Sequence, residues 1–208
     1  MADLSAVKTT NPMKRIIIIA GIALFLVILL GYGCSKRNSF VMLNEEVASQ
    51  LHQVESQYQR RADLIPSIVK TVEAEANFEK STLIAVVEAR AKATQVTIDP
   101  TNMTEENMQR FKQAQGELSS AISKLLVVSE NYPSLKSSQA FSELRVELEG
   151  CENRIAVERM KYNETVKAFN VSIKKIPGSF FAWGYKEAVY FEAEAGAEKA
   201  PKFDINIK

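Results

Sequence analysis

The sequence contains few of the residues that metal and redox centres need. Its 208 residues include one histidine, His52, and two cysteines, Cys34 and Cys151. The cysteines lie too far apart in the chain for any metal-ligand spacing. Cys151 occupies an apolar helix position and is predicted to pack in a core, whereas His52 is predicted to lie on the surface. We therefore expect no metal site and no cofactor.

An excess of charge of one sign is also missing. Lysine and arginine together number 26, against 25 aspartate and glutamate residues, and this balance argues against a nucleic-acid partner held by bulk charge. The 8 glycines and 6 prolines stand near the ends of periodic segments, which is typical of an all-helical protein. No nucleophile–base pair or phosphate-binding glycine loop is recognisable, so we expect no enzymatic activity.

One long uncharged run stands near the N-terminus. It covers residues 16–33, IIIIAGIALFLVILLGYG, and follows a short polar N-terminus of residues 1–15. As a helix it would measure roughly 27 Å, close to a hydrocarbon core of about 30 Å. We predict a transmembrane signal anchor. The alternatives are a cleaved secretory signal and a lipoprotein signal with lipidation at Cys34, which follows Gly33.

The charges that flank this run favour one orientation. Lys8, Lys14 and Arg15 precede it, and Lys36 and Arg37 follow it. By the positive-inside rule, this distribution slightly favours a cytoplasmic N-terminus. We expect a single-pass protein whose body lies outside the cytoplasm.

Beyond the anchor, apolar residues recur in steps of three and four, which predicts amphipathic helices. Thr104 is predicted to be an N-cap, and Pro177-Gly178 to end the last helix. Stripes this narrow need partner helices alongside, so we predict an all-α fold in which residues 38–177 form an antiparallel bundle of long helices. The four apolar stripes cover residues 40–58, 69–87, 108–125 and 141–176.

The segment QYQRRADLIP, residues 57–66, places Arg60, Arg61 and Asp63 before Pro66. Proline suits the first turn of a helix, because its missing N–H has no helical acceptor there. We interpret the segment as a helix junction, at which Asp63 caps, Pro66 starts the next helix and the arginines bridge neighbouring helices. The alternative is that Arg60 and Arg61 bind an anionic lipid headgroup or a partner's carboxylate.

Three polar residues lie on or beside the fourth stripe. Arg159 lies on the apolar seam and needs a carboxylate partner, because an unpaired buried charge is costly. Asn163 and Asn170 are seven residues apart and share a helix face, so each is predicted to bond a facing helix and fix the register; binding of a substrate amide is the alternative. The candidate partners for the arginines are Glu143, Glu149, Glu152 and Glu158.

The composition changes over residues 178–208, which begin with six aromatic residues within 12 positions. We predict that these aromatics fold back and close the end of the bundle. The alternative is a membrane-interface or subunit-contact element, since Trp and Tyr favour the boundary of a bilayer. Residues 193–208 are expected to be a loosely ordered tail. The aromatics considered for the interface are Phe180, Phe181, Trp183 and Tyr185.

Three segments of the chain resemble the LemA family: QYQRRADLIPSIV (57–69), residues 130–170, and IPGSFFAWGYKEAVYFE (176–192). The middle segment carries the motifs Y-P-x-L-K, E-N-x-I and R-x-x-Y-N. After the anchor the chain has CSKRNSF, where the family more often has a tyrosine-asparagine opening. The resemblance implies a bacterial protein with one membrane segment and an antiparallel helical bundle. It implies no enzymatic activity and no catalytic residues.

Two functional hypotheses follow. In the first, the protein is a non-enzymatic scaffold that contacts the lipid bilayer and self-associates through its long helices at a bacterial envelope membrane. In the second, it is an adaptor for a membrane protease, a transporter or an envelope enzyme. A third class, an enzyme or small-ligand receptor, would require an ordered polar pocket inside the bundle.

Overall fold

The computed structural model describes residues 12–75, 77–98, 100 and 103–191. Residues 1–11 of the predicted N-terminus and the predicted tail over 193–208 lie outside this part. The described residues form α-helices and a 3-10 turn and no strand, which confirms the all-α class. The elements are α1 (Pro12–Glu73), α2 (Lys80–Gln95), α3 (Glu105–Ser129), α4 (Pro133–Lys136), α5 (Gln139–Lys174) and the 3-10 turn (Gly178–Phe181).

Helix α1 joins the apolar run to the bundle without a break. It contains 62 residues, so at ~1.5 Å per residue it is roughly 93 Å long. Residues 13–32 are exposed on all sides and are apolar enough to cross a membrane, which fits a single-pass membrane protein. From Phe40 onward, one face of the same helix is buried.

The predicted junction at residues 57–66 is wrong. Helix α1 continues through Pro66, and the next helix begins at Lys80. Pro66 has no N–H to donate to the carbonyl of Ala62, and Arg90 of α2 takes that place, with its Nε 2.7 Å from the Ala62 oxygen. Asp63 does not cap a helix; it accepts a hydrogen bond from Gln59 one turn earlier, at 2.8 Å.

Helices α1, α2, α3 and α5 form the predicted antiparallel bundle, and α1 packs mainly on α5. Gln50 of α1 bonds Glu158 of α5, whereas Arg60, farther along α1, bonds Glu147, earlier in α5. The two helices therefore run in opposite directions. Helices α2 and α3 pack together as a hairpin, and the side chain of Thr104 caps α3 as predicted, by accepting from the backbone N–H of Asn107.

Two apolar cores lie along the bundle, one on each side of position 61 in α1. Cys151 is buried and His52 is exposed, as predicted. Val87 and Ile176 depart from their stripes, because they are 48% and 73% exposed. The distal core includes Ile65, Val72, Phe78, Leu83, Val86, Leu118, Leu125, Phe141 and Leu148. The proximal core, nearer the apolar run, includes Phe40, Leu51, Val54, Tyr58, Met108, Phe111, Ile155, Tyr162, Val166, Phe169 and Phe191.

Candidate functional site

A polar layer separates the two cores, and Arg61 is its centre. The residue is only 1% exposed. Its Nη1 donates to Ser119 Oγ at 2.6 Å and to Glu152 Oε1 at 2.7 Å. Its Nη2 donates to the side-chain oxygen of Gln115 at 2.8 Å and to the backbone oxygen of the same residue at 3.1 Å. The buried charge is therefore paired with a carboxylate, one of the four predicted candidates.

The layer connects all four long helices. Gln115 of α3 donates from Nε2 to the backbone oxygen of Ala93 in α2, at 3.3 Å, while Arg61 and Glu152 belong to α1 and α5. The guanidinium also lies 5.1 Å from the centre of the Tyr58 ring, a favourable cation–π distance. Sliding one helix along another would break these directional bonds and leave a buried charge unpaired, which is expensive. The layer therefore specifies the axial register of the bundle.

The two adjacent arginines have different surroundings because successive residues of a helix point ~100° apart. Arg61 points into the bundle, whereas the Arg60 side chain is 56% exposed. Arg60 bonds Glu147 at 3.2 Å across the surface of α1 and α5, and that carboxylate was not among the predicted partners. Arg61 is therefore a structural residue, and Arg60 remains the accessible member of the pair.

A second polar arrangement, here named the asparagine clamp, consists of Asn163 and Asn170 on α5. The amide of Asn170 accepts from the backbone N–H of Ala188 at 2.8 Å and donates to the carbonyl of the same residue at 2.9 Å. Asn163 makes the same pair of bonds with Phe191, both at 2.8 Å. The predicted bonding of these amides to a facing helix is wrong, because the chain reverses after α5 and its extended segment 185–191 covers this face.

The clamp seats the C-terminal segment in the proximal core. Phe191 is buried, with its ring centre 5.2 Å from that of Tyr162. The Tyr162 hydroxyl donates to the carbonyl of Val189 at 2.8 Å. Burial raises the pKa of Tyr162, so its phenol stays neutral and remains a donor. The segment is thus held through its main chain and by two aromatic side chains, Phe191 and Tyr185, whose ring centre lies 5.9 Å from that of Phe169.

The LemA family model matches residues 50–205. The chain belongs to the LemA family. The matched range contains the polar layer and the asparagine clamp, and it begins after the apolar run.

Curated relatives of this LemA protein come from two organisms. Magnetosome protein MamQ 2 of Paramagnetospirillum magneticum is 24% identical over 182 aligned positions, in an alignment that covers 78% of this chain and 67% of that protein. Magnetosome protein MamQ 1 of the same organism gives the same values. Magnetosome protein MamQ of Magnetospirillum gryphiswaldense is 25% identical over 181 aligned positions, and the alignment covers 77% of this chain and 66% of that protein.

The LemA protein has a small polar cavity beside Arg61. Its volume is about 100 Å³, and Lys112, Glu152 and Arg159 are among the residues that line it. Ligand pockets typically measure ~300–1,000 Å³, whereas this space matches about three water molecules. The described residues include no group of three or more His, Cys, Asp or Glu side chains able to hold a metal ion. The cavity suits hydration of the polar layer better than small-molecule binding.

Arg159 borders this cavity from α5. It is half-buried, and its guanidinium carbon lies 5.4 Å from the centre of the Phe191 ring. Its neighbour Glu158, another predicted partner, accepts instead from Lys161 at 2.8 Å and from Gln50 at 2.6 Å. These two hydrogen bonds lower the pKa of Glu158, and that from Lys161 has the larger effect.

The four candidate interface aromatics divide into two pairs. Phe181 and Tyr185 are half-buried: the Phe181 ring packs on Tyr32, with centroids 5.9 Å apart, and Tyr185 packs on Phe40 at 5.7 Å. Phe180 and Trp183 are instead 76% and 83% exposed. The first pair holds the chain against α1, and the second pair faces outward.

Sequence reasoning missed several members of these networks. The acceptor of Arg90 gave no local signal, because the carbonyl of Ala62 loses its helical donor to a proline elsewhere in the chain. Gln115 did give a signal, since a polar residue on an apolar stripe needs a buried partner. Ser119 gave no such signal, because it lies outside the apolar stripe, one residue after Leu118, where a polar residue is expected.

Proposed function

We propose that this LemA protein is a membrane-anchored, non-enzymatic scaffold that self-associates at a bacterial envelope membrane. The observation that carries the proposal is a row of exposed apolar side chains on the outer face of α5. Solvated helix faces are ordinarily polar, and apolar rows on a surface mark interaction sites. The row, here named the outer stripe, consists of Val146, Val157, Met160 and Val171, which are 65%, 43%, 57% and 52% exposed.

The outer stripe is straight and lies opposite the core. With ~100° between successive residues, its four members fall within roughly 60° of one another, and the exposed polar residues Asn153 and Glu164 lie on the same face between them. The buried residue Ile155 of the same helix points in the opposite direction by the same measure. From Val146 to Val171 the stripe is about 37 Å long at ~1.5 Å per residue. Two copies can therefore pack their stripes against each other as one self-complementary contact.

The anchor favours the same arrangement. Copies held in one membrane by α1 share a plane and an up–down direction, which raises their effective concentration. Side-by-side association would then gather many anchors in one patch of bilayer. The relatives are named as magnetosome proteins. From that name we propose for this chain only that it associates with a larger cellular structure.

The oligomeric state of the full-length protein in mild detergent tests this proposal. We expect sedimentation velocity to show a concentration-dependent oligomer, and we expect Val157→Lys with Met160→Lys to shift it to monomer. Ile84→Lys is a matched control, because Ile84 is 57% exposed on α2, away from the stripe. A monomer at every concentration, or equal behaviour of the two variants, would overturn the proposal.

We also propose that the bundle lies outside the cytoplasm, on the basis of the flanking charges. A cysteine at the distal end can test this in a Cys34→Ser background, because Cys151 is buried. Val127→Cys is suitable, since Val127 is 70% exposed on α3. We expect a membrane-impermeant maleimide to label this variant in intact spheroplasts. Labelling only after lysis would show that the bundle lies in the cytoplasm and would overturn this orientation.

The adaptor hypothesis has its own supporting feature. A cleft of about 390 Å³ at the distal end is lined by residues that include Phe78, Leu83 and Ile84. Charged residues, Glu73, Glu75 and Lys80, complete its lining, so this cleft, which faces away from the anchor, offers both apolar and charged contacts to a partner's side chain. If it does, Ile84→Lys will abolish crosslinking to a stoichiometric membrane partner, whereas the outer-stripe variant will retain it. The same two variants therefore separate the scaffold from the adaptor.

A further inference from the structure

The turn after α5 lies beside the end of the apolar run. This turn, residues 176–184, is here named the interface loop. The Phe181 ring packs against Gly33, where a Cβ atom would come within 2.6 Å of the ring, and it meets the ring of Tyr32 edge-on. Gly33 is the last residue of the apolar run, so the loop lies at the level where the run leaves the hydrocarbon core.

The loop is firmly held, yet it presents large apolar side chains outward. Arg37 donates from Nη1 to the backbone oxygen of Trp183 at 3.2 Å. Gly184 adopts a φ of +89°, a backbone conformation that only glycine reaches without strain. The fixed turn leaves three large hydrophobic side chains exposed: Ile176, Phe180 and Trp183 are 73%, 76% and 83% exposed.

We propose that the interface loop inserts into the headgroup region of the bilayer that the apolar run crosses. That region occupies about 5–8 Å on each side of the hydrocarbon core. Arg37, the partner of Trp183, lies four residues beyond Gly33, which is about 6 Å along the helix and within this layer. Tryptophan is favoured at this depth, because its ring is apolar and its N–H is polar. The loop thus forms a second membrane contact of the chain.

The charges around the loop select anionic lipids. Residues 34–42 and 174–187 contain five cationic side chains and a single carboxylate, that of Glu187. Glu187 pairs with Lys174 at 2.6 Å, and the other cations form a basic rim beside the exposed aromatics. Basic residues next to a membrane segment attract anionic headgroups. The cations are Lys36, Arg37, Lys174, Lys175 and Lys186.

A second copy of the chain is the other candidate occupant of this surface. The bilayer is favoured by continuity, because the loop packs directly on the last turn of the membrane-spanning run. The outer stripe, which we assign to self-association, extends along α5 and does not include the loop. The two surfaces can therefore be tested separately.

Intrinsic fluorescence tests the proposal directly, because Trp183 is the single tryptophan of the chain. Full-length protein is reconstituted into phosphatidylcholine vesicles with and without phosphatidylglycerol. Emission is then quenched by acrylamide from the water and by lipids brominated near the headgroup. The matched control is Trp183→Phe with Val127→Trp, which moves the reporter to the exposed distal position on α3.

We expect brominated lipids to quench Trp183 at least twofold more than the control, and acrylamide to quench it at least twofold less. Quenching by brominated lipid should increase when phosphatidylglycerol is present; equal quenching in both vesicles would overturn the assignment to anionic lipids. A Trp183 that stays open to acrylamide and insensitive to brominated lipid overturns the insertion, even where the protein floats with the vesicles through its anchor. Shielding from both quenchers also overturns it and assigns the surface to a second copy.

Discussion

Arg90 donates a hydrogen bond at 2.7 Å to the backbone oxygen of Ala62, the acceptor that Pro66 leaves without its helical donor. Ala62 is 3% exposed, so water could not replace Arg90 easily. One residue of α2 therefore compensates for a proline in α1 and lets that helix continue into the distal core.

This pair predicts a compensating double variant. Arg90→Ala should lower the free energy of unfolding by ~1–3 kcal/mol, because it leaves a buried carbonyl without a donor. Adding Pro66→Ala restores an N–H at position 66 and should recover most of the loss. Urea unfolding of the full chain in mild detergent measures both effects. Arg110→Ala, which breaks an exposed pair with Glu106, is the control; additive effects of the two changes would contradict our account.

The two adjacent arginines should differ sharply in their contribution to stability. Arg61→Ala is expected to cost ~3 kcal/mol or more, because it disrupts a buried, hydrogen-bonded charge network. The Glu152 side chain is 45% exposed and retains access to water, so the loss of stability should be about 3 kcal/mol and not much larger. Arg60→Ala should change stability by less than about 1 kcal/mol, as expected for a surface ion pair. Chemical unfolding measures both variants. Equal losses of unfolding free energy in the two variants would contradict the structural role that we assign to Arg61.

The asparagine clamp predicts a local effect without global unfolding. Asn170→Ala removes two hydrogen bonds to the main chain of Ala188 and should cost ~1–3 kcal/mol. We expect faster hydrogen exchange at residues 185–191 while α1 and α5 stay protected. Asn153→Ala is the control, because Asn153 is an exposed residue of the same helix. Unchanged exchange in the segment would show that the clamp does not hold it.

Acid should weaken the contact between α1 and α5 at Gln50 and Glu158. Folding lowers the pKa of Glu158 from its ordinary value of 4.5. The ionised carboxylate therefore contributes stability that is fully present above that value and is lost as the pH falls through the folded pKa. The urea midpoint of unfolding is measured at about pH 6 and at about pH 3. The difference between these two midpoints should be smaller in Glu158→Gln than in the unmodified protein. Glu164→Gln, at an exposed carboxylate of α5, should leave the difference unchanged.

Much of the fold follows from local pattern. Apolar steps of three and four predicted the buried faces of the long helices, because a helix returns to the same face at that interval. Thr104 was predictable as an N-cap for the same local reason, since its hydroxyl satisfies an N–H three residues away. The apolar run was predictable from its length and its lack of charge.

The errors have tertiary causes. Proline at position 66 predicts a helix boundary unless a distant donor satisfies Ala62, and Arg90 lies 28 residues away. The partners of Asn163 and Asn170 lie in an extended segment, which has no helical periodicity to reveal that it covers α5. The division between Arg60 and Arg61 depends on which side of α1 faces the interior of the bundle, and the doublet alone does not contain that information.

The continuity of α1 has a mechanical consequence. Forty residues separate Gly33 from Glu73, so the part of α1 beyond the apolar run is about 60 Å long. If the anchor leans by ~20°, a usual angle for a membrane helix, the far tip swings sideways by about 20 Å. Bilayer thickness influences how far such helices lean, so in a membrane-anchored protein α1 would convert small differences in thickness into large displacements of the distal cleft.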